Sequence, residues 1–139
     1  MNYLIDTCVI SELVKSTPAQ SVVKWLENID EHKLHLSVLT LGELQKGVAK
    51  LPGSIRKQQL QHWIDNDVRV RFRARLLSIT ADVALVWGEI QGNAEKNGRK
   101  MPVIDSLIAA TAIVNNLTVA TRNRPDIARS NANVFDPWE

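Results

Sequence analysis

Short unbroken apolar runs alternate along this chain with stretches whose apolar residues recur every three or four positions. The first pattern suits buried parallel strands and the second suits helices with one inward face, so together they predict an α/β fold. Tyr3-Leu4-Ile5 is the first predicted strand, followed by a short helix over Cys8–Val14. Pro18 opens a second helix, with Val22, Val23, Trp25, Leu26 and Ile29 close to one stripe. Leu34–Val38 is the second strand, and a helix over about Leu41–Lys50 follows it. Pro52-Gly53 marks a turn, beyond which Ile55, Leu60, Trp63 and Ile64 predict another helix. Residues Val68 to Arg75 alternate as a strand would, but Leu76-Leu77-Ser78-Ile79 is the better third strand. A long helix over Thr80–Lys96 stops before Asn97-Gly98, a C-cap signal. Val103–Val114 is apolar nearly all round, so that helix is expected to be buried, with Ala109-Ala110 allowing close backbone approach. Leu117–Ala120 and Val134-Phe135 are the fourth and fifth strands.

At 139 residues, with 45% hydrophobic and 23% charged side chains, the chain suits a single domain, 1–139, with a genuine core. The net charge of +2 permits a polyanionic partner without demanding one. A single cysteine, Cys8, excludes a disulfide framework and a Cys-based zinc site. The N-terminus lacks the basic region of a signal peptide, and no apolar run reaches membrane-spanning length. The expectation is a soluble, cytoplasmic protein with no membrane association.

Three acids stand where an acid is locally awkward. Asp6 ends the first apolar run, Glu43 follows Leu36-Ser37-Val38-Leu39-Thr40-Leu41-Gly42, and Asp105 interrupts Pro102-Val103-Ile104 and the small-residue run from Ser106 to Ala112. Isolated carboxylates in such settings are costly unless something cationic gathers them. In an open parallel sheet the strand ends converge on one crevice, where acids remote in sequence can meet. Two of the acids also have plain structural roles open to them. Asp6 suits the N-cap of the helix that follows. Thr40-Leu41-Gly42-Glu43 fits a capping box, in which Thr40 starts the helix and Glu43 reaches back to it. For Asp105 the remaining structural role is to face the positive end of its own helix, worth about 1 kcal/mol. An unpaired buried charge costs several kcal/mol, so Asp105 calls for a cation.

Three carboxylates in one pocket repel one another and hold protons more tightly, and a divalent ion reverses that effect. Mg²⁺ takes oxygen ligands, keeps several waters and accepts only one or two carboxylates directly, leaving the others to orient its shell. Such an ion polarises a phosphoryl oxygen and makes hydroxide from bound water near neutral pH. The kit suits phosphodiester hydrolysis with Mg²⁺ or Mn²⁺ as cofactor.

Five segments, in order, carry a resemblance. Leu4-Ile5-Asp6-Thr7-Cys8-Val9-Ile10-Ser11-Glu12 resembles the opening of PIN-domain ribonucleases, most closely the VapC toxins of the FitB-like branch. The segment from Ser37 to Gly47 resembles their second acidic motif, and that from Ile104 to Ala112 the third. Val119-Ala120-Thr121-Arg122-Asn123 is similar to the fourth-strand motif, and Val134-Phe135-Asp136-Pro137-Trp138 to the usual ending. The resemblance implies a three-layer α/β/α PIN fold around a parallel sheet of four to five short strands. It implies a metal-dependent endoribonuclease, the toxin of a type II toxin–antitoxin pair, with tRNA a frequent substrate in the family. It further implies a cognate VapB- or FitA-like antitoxin, a homodimer, and a larger complex on operator DNA through the antitoxin. Carried over residue by residue, Asp6 and Asp105 match the principal metal-binding acids and Glu43 the third. Where the family often places a fourth acid this chain has Asn123, whose amide can orient a water, while Asp126 is the candidate substitute charge.

Arg122 and Arg124 adjoin the predicted crevice and are the candidates for RNA contact. Thr7 and Thr121 are candidates to hydrogen-bond metal-bound water or a neighbouring carboxylate, with helix capping open to Thr7. Arg69, Arg71, Arg73 and Arg75 read first as a solvated face with Val70 and Phe72 turned inward, and second as contacts to RNA or to an acidic antitoxin segment. Cys8 has no histidine to activate it and reads as packing, while His32, His35 and His62 lack metal-ligand spacing. Trp25, Trp63 and Trp87 suit the core or a dimer interface, and Trp138 suits packing of the tail. A phospho-receiver domain is disfavoured, because the chain lacks adjacent acids after the first strand and a lysine near the last. A non-catalytic PIN-like module that binds RNA or antitoxin is the remaining rival.

Overall fold

In the computed structural model, which describes residues 1–139, the apolar runs become strands. These are β1 (Tyr3–Ile5), β2 (Leu34–Ser37), β3 (Leu76–Leu77), β4 (Thr118–Ala120) and β5 (Val134–Phe135). They form one sheet in the order β3-β2-β1-β4-β5, and every neighbouring pair is parallel. The helices are α1 (Thr7–Glu12), α2 (Gln20–Asn28), α3 (Val38–Ala49), α4 (Ile55–His62), α5 (Arg69–Arg71), α6 (Ala81–Lys96), α7 (Val103–Val114) and α8 (Arg124–Ala128). A 3₁₀ turn, Glu31–Lys33, precedes β2, and the π-helical Trp63–Val68 links α4 to α5. No helix is long and apolar enough to cross a membrane.

The pleat of β1 divides the core into two layers. Ile5 joins Val9, Val22, Leu34, Leu36, Leu44, Ile64 and Phe72 on one face, whereas Leu4 packs with Ile108, Ala109, Ala112, Val119 and Ile127 on the other. Burying one such large side chain contributes about 1.5–3 kcal/mol. The small side chains of Ala109, Ala110 and Ala112, all fully buried, let α7 lie close against the sheet and α6.

Strand order fixes where ligands can bind. After β1 the chain builds β2 and β3 on one side, then crosses to β4 and β5 on the other, so the direction of winding reverses between β1 and β4. In open α/β sheets the crevice lies at the carboxyl ends of the strands flanking that reversal. Ile5 pairs with Ala120, and the next amide, Asp6 N–H, donates to the Ala120 carbonyl at 3.0 Å. Asp6 and Thr121 are therefore the first residues beyond the sheet on neighbouring strands.

Four local expectations need correction. The predicted capping box does not form: Ser37 is the N-cap of α3, its hydroxyl accepting from the Leu39 amide at 3.0 Å. Thr40 instead lies inside the helix with a buried, unpartnered hydroxyl. The alternating stretch before β3 is helical, because Ile64, Val68 and Phe72 recur every four residues and all three are buried, while Val70 is 55% exposed. Arg71 and Arg75 within it grip Glu31, and both guanidinium groups lie over the Phe72 ring at 5.4 and 5.1 Å. Finally, α1 spans Thr7–Glu12 rather than Cys8–Val14, and β3 stops at Leu77.

Candidate active site

Asp6 caps its helix with one oxygen and reaches across to β4 with the other. Its Oδ1 accepts from the Thr7 amide at 2.9 Å and caps α1. Its Oδ2 accepts from the Thr121 hydroxyl at 2.8 Å, a fully buried group just beyond β4. The Thr121 hydroxyl in turn accepts from the Asn123 amide at 2.9 Å, pinning the β4–α8 loop to the end of β1. Glu43, in the second turn of α3, accepts from the Thr7 hydroxyl at 2.5 Å, so its carboxylate faces α1 instead of its own helix start. Thr7 thus joins the acids that follow β1 and β2.

Asp105 arrives from the other side, in the first turn of α7. That turn is fixed to α6 by Gln91, a buried amide whose Nε2 donates to the Met101 carbonyl at 2.7 Å and to Ser106 Oγ at 2.9 Å. Trp87 Nε1 donates to the same hydroxyl at 3.0 Å. Sequence reasoning passed over Gln91 and Ser106. The available signal was a polar residue at Gln91, eight positions after buried Val83 and four after Trp87, on an otherwise inward stripe.

Asn123 Nδ2 donates to Asp105 Oδ2 at 3.0 Å. Burial pushes the Asp105 carboxyl above its ordinary range, and the charges of Asp6, Asp126 and Glu43 push it further; the Asn123 hydrogen bond opposes them. Asp6 and Glu43, remote in sequence, are therefore both near enough for their charges to act on Asp105. No three His, Cys, Asp or Glu side chains converge as a finished ligand set. Two carboxylate oxygens, Glu43 Oε2 and Asp105 Oδ1, accept from no protein donor. An all-oxygen, negatively polarised group of this kind is the donor chemistry that hard divalent cations take, with water completing the shell.

The other candidates lie around this group. Asp126 stands in α8 with its carboxylate 3.9 Å from Arg129, and it makes no hydrogen bond to the other acids. Arg122 is exposed and stacks on Trp138 at 4.2 Å, and Arg124 pairs with Glu139 at 3.1 Å, so both face the C-terminal residues. Cys8 is nearer the acids than a packing role implies, with its Sγ 3.9 Å from Asp6 Oδ2 and 3.6 Å from Thr121 Oγ1. Burial raises the affinity of its thiol for a proton, and the Asp6 charge adds to that, which disfavours a thiolate nucleophile.

A surface cleft of about 670 Å³ beside α6 is lined by none of these acids. The chemistry points instead to the strand ends. There a groove of about 310 Å³ adjoins the acids, lined by Thr7 and Glu43 and by the apolar Leu44, Val48, Leu60 and Trp63.

A sheet of this order with acids at the reversal defines a class, and sequence comparison names it. The model of the PIN domain matches residues 3–129, and the chain belongs to the PIN-domain family. Within the family it falls in the FitB-like branch of VapC toxins. It is 35% identical to Toxin FitB of Neisseria gonorrhoeae over 97% of both chains. It is 30% identical to VapC ribonuclease Y4jK of Sinorhizobium fredii, over 98% of this chain and 97% of that one. The solved structure of FitAB bound to an IR36 DNA fragment superposes with a TM-score of 0.93 at 33% identity, covering 99% of this chain and 96% of that one.

Proposed function

We propose that this protein is a divalent-metal-dependent endoribonuclease, the toxin of a type II toxin–antitoxin pair acting in the cytoplasm, with tRNA the expected class of substrate. The observation that supports it most is the company of Asp105, whose carboxyl is burdened by burial and by three other acids with no cationic side chain hydrogen-bonded to it. The donor set fits Mg²⁺ or Mn²⁺, which Asp6, Glu43 and Asp105 hold in this reading. The bound ion supplies a more acidic water and offsets charge developing at phosphorus.

The remaining work falls to the chain itself. Thr121 and the Thr7 amide fix both oxygens of Asp6, which sets the position of that carboxylate before any ligand arrives. The Thr7 hydroxyl orients Glu43, and the Gln91–Ser106 contact holds the turn that carries Asp105. The raised proton affinity of Asp105 marks the charge that a bound cation would offset, which favours binding of the ion at this carboxylate. Arg122 and Arg124, exposed beside the β4 end, contact RNA phosphates. The products in this reading carry a 5′-phosphate and a 3′-hydroxyl.

The relatives guide the partners. FitB is named a toxin and Y4jK a ribonuclease, and FitAB has been solved on DNA. By analogy this chain pairs with an antitoxin that carries the complex to operator DNA. The groove of Leu44, Val48, Leu60 and Trp63 reaches Glu43, so it suits an apolar antitoxin segment bearing a cationic residue. Exposed Leu85, Val103 and Ile113 on α6 and α7 suit a homodimer contact. A second reading, a non-catalytic PIN-like binding module, draws on Asn123 at the fourth acidic position. The two separate in one assay: purified protein with RNA and Mg²⁺, with and without chelator, followed by analysis of the new ends. Chelator-sensitive cleavage supports the nuclease, and RNA binding without cleavage in any metal supports the module.

A further inference from the structure

The acids are accompanied by one amide, and its orientation is chemically fixed. Asn123 lies 3.0 Å from Asp105 Oδ2 through its Nδ2. An ionised carboxylate only accepts hydrogen bonds, so the amide nitrogen and not its oxygen must face Asp105. The loop beneath is held as well, because the Asn123 backbone amide donates to Thr121 Oγ1, which itself donates to Asp6. The amide therefore presents N–H groups, the positive end of its dipole, to the carboxylate on the β4 side.

Two-metal phosphodiesterases hold their ions about 3.5–4 Å apart, and each added cation needs anionic or oxygen donors. Here the side chain that meets Asp105 Oδ2 presents N–H groups, which repel a cation. The nearest spare acid, Asp126, stands beside Arg129 at 3.9 Å. For Asn123 to offer its oxygen to a second ion, its amide must turn over and lose the bond to Asp105.

We infer that this site takes a single divalent cation, with Asn123 acting as a positioning residue that holds Asp105 through its amide N–H instead of offering an oxygen to a second ion. The inference rests on the reading of Asp6, Glu43 and Asp105 as a cation site. Its test is a Mn²⁺ titration of the full-length purified protein, following free Mn²⁺ by electron paramagnetic resonance, with circular dichroism to establish folding. Wild type is expected to bind one Mn²⁺ per chain and the isosteric Asn123→Asp two. Asn123→Ala is expected to keep one, about tenfold weaker because Asp105 loses its donor. Two ions in wild type, or one in Asn123→Asp, overturns the inference while leaving the cation site intact. No ion in folded wild type overturns the cation site itself, and this inference with it.

Discussion

Glu31, just before β2, and Asp105, in the first turn of α7, carry the same chemical group in opposite company. Glu31 receives Arg71 through both its oxygens, Nε at 2.6 Å and Nη2 at 2.9 Å, and Arg75 Nη2 at 3.1 Å. Arg75 also ties down the Glu31 and Leu34 carbonyls, so the cluster locks the entry to β2. The hydrogen bond from Arg71 holds the Glu31 carboxyl below its ordinary range. Asp105 has one neutral donor and three anionic neighbours, and its carboxyl is displaced upward. Glu12 sides with Glu31: although buried, it pairs with Lys15 at 2.8 Å and accepts from the Ala19 amide at 2.7 Å. Glu31 and Glu12 meet cations that the chain itself brings. Around Asp105 the chain brings more acids, the imbalance that the proposed divalent cation would offset.

The contrast can be broken most forcefully at the acids. Asp6→Asn and Asp105→Asn are each expected to lower RNA cleavage about 10³-fold, roughly 4 kcal/mol of barrier, with circular dichroism unchanged. Retained cleavage in Asp105→Asn removes the proposed mechanism. Thr121→Val comes next, since it leaves Asp6 Oδ2 without its buried donor. Measured in the same assay, it is expected to reduce cleavage about 10- to 100-fold, the usual scale for groups that orient metal ligands. The smallest effect belongs to the matched acid. Glu31→Gln is expected to lower stability by about 0.5–1 kcal/mol in low-salt denaturant unfolding, less in high salt, and to leave cleavage untouched. Because the folded-state affinity of Glu31 for protons is depressed, its contribution is present above the ordinary carboxylate range. It is lost as pH falls through the lower folded value.

The sequence displayed the sheet well, because continuous apolar runs such as Tyr3–Ile5 and Thr118–Ala120 are buried on both faces and have no competing period. Asp6 and Asp105 stood out for the same reason, as charges set against apolar neighbours. Glu43 meets the residue after Asp6, Thr7, while its structural alternative was misread: Ser37 and Thr40 both suit a cap, and Ser37 takes it as the last strand residue, leaving Thr40 inside the helix. The Arg69–Arg75 stretch misled because alternation and a four-residue repeat share Val68 and Phe72, and exposed Val70 is what separates them. The α8 helix escaped notice, having five residues and a single buried side chain, Ile127. Side-chain pairings such as Gln91 with Ser106 depend on how α6 crosses α7, which no local pattern encodes.

Thermal unfolding of wild type and Asp105→Asn, with and without Mg²⁺ at neutral pH, tests the unmatched-charge account most directly. In metal-free wild type the raised carboxyl binds more protons folded than unfolded, so stability falls as pH rises through that window and stays lower above it. Metal-free Asp105→Asn is therefore expected to be the more stable protein, with an unfolding temperature higher by a few degrees at most because solvent screens this half-buried carboxyl. Mg²⁺ at a hundredfold excess over its Kd is expected to reverse the order, stabilising wild type by about 2.7 kcal/mol and the variant far less. A wild type that is the more stable without metal and indifferent to Mg²⁺ contradicts it.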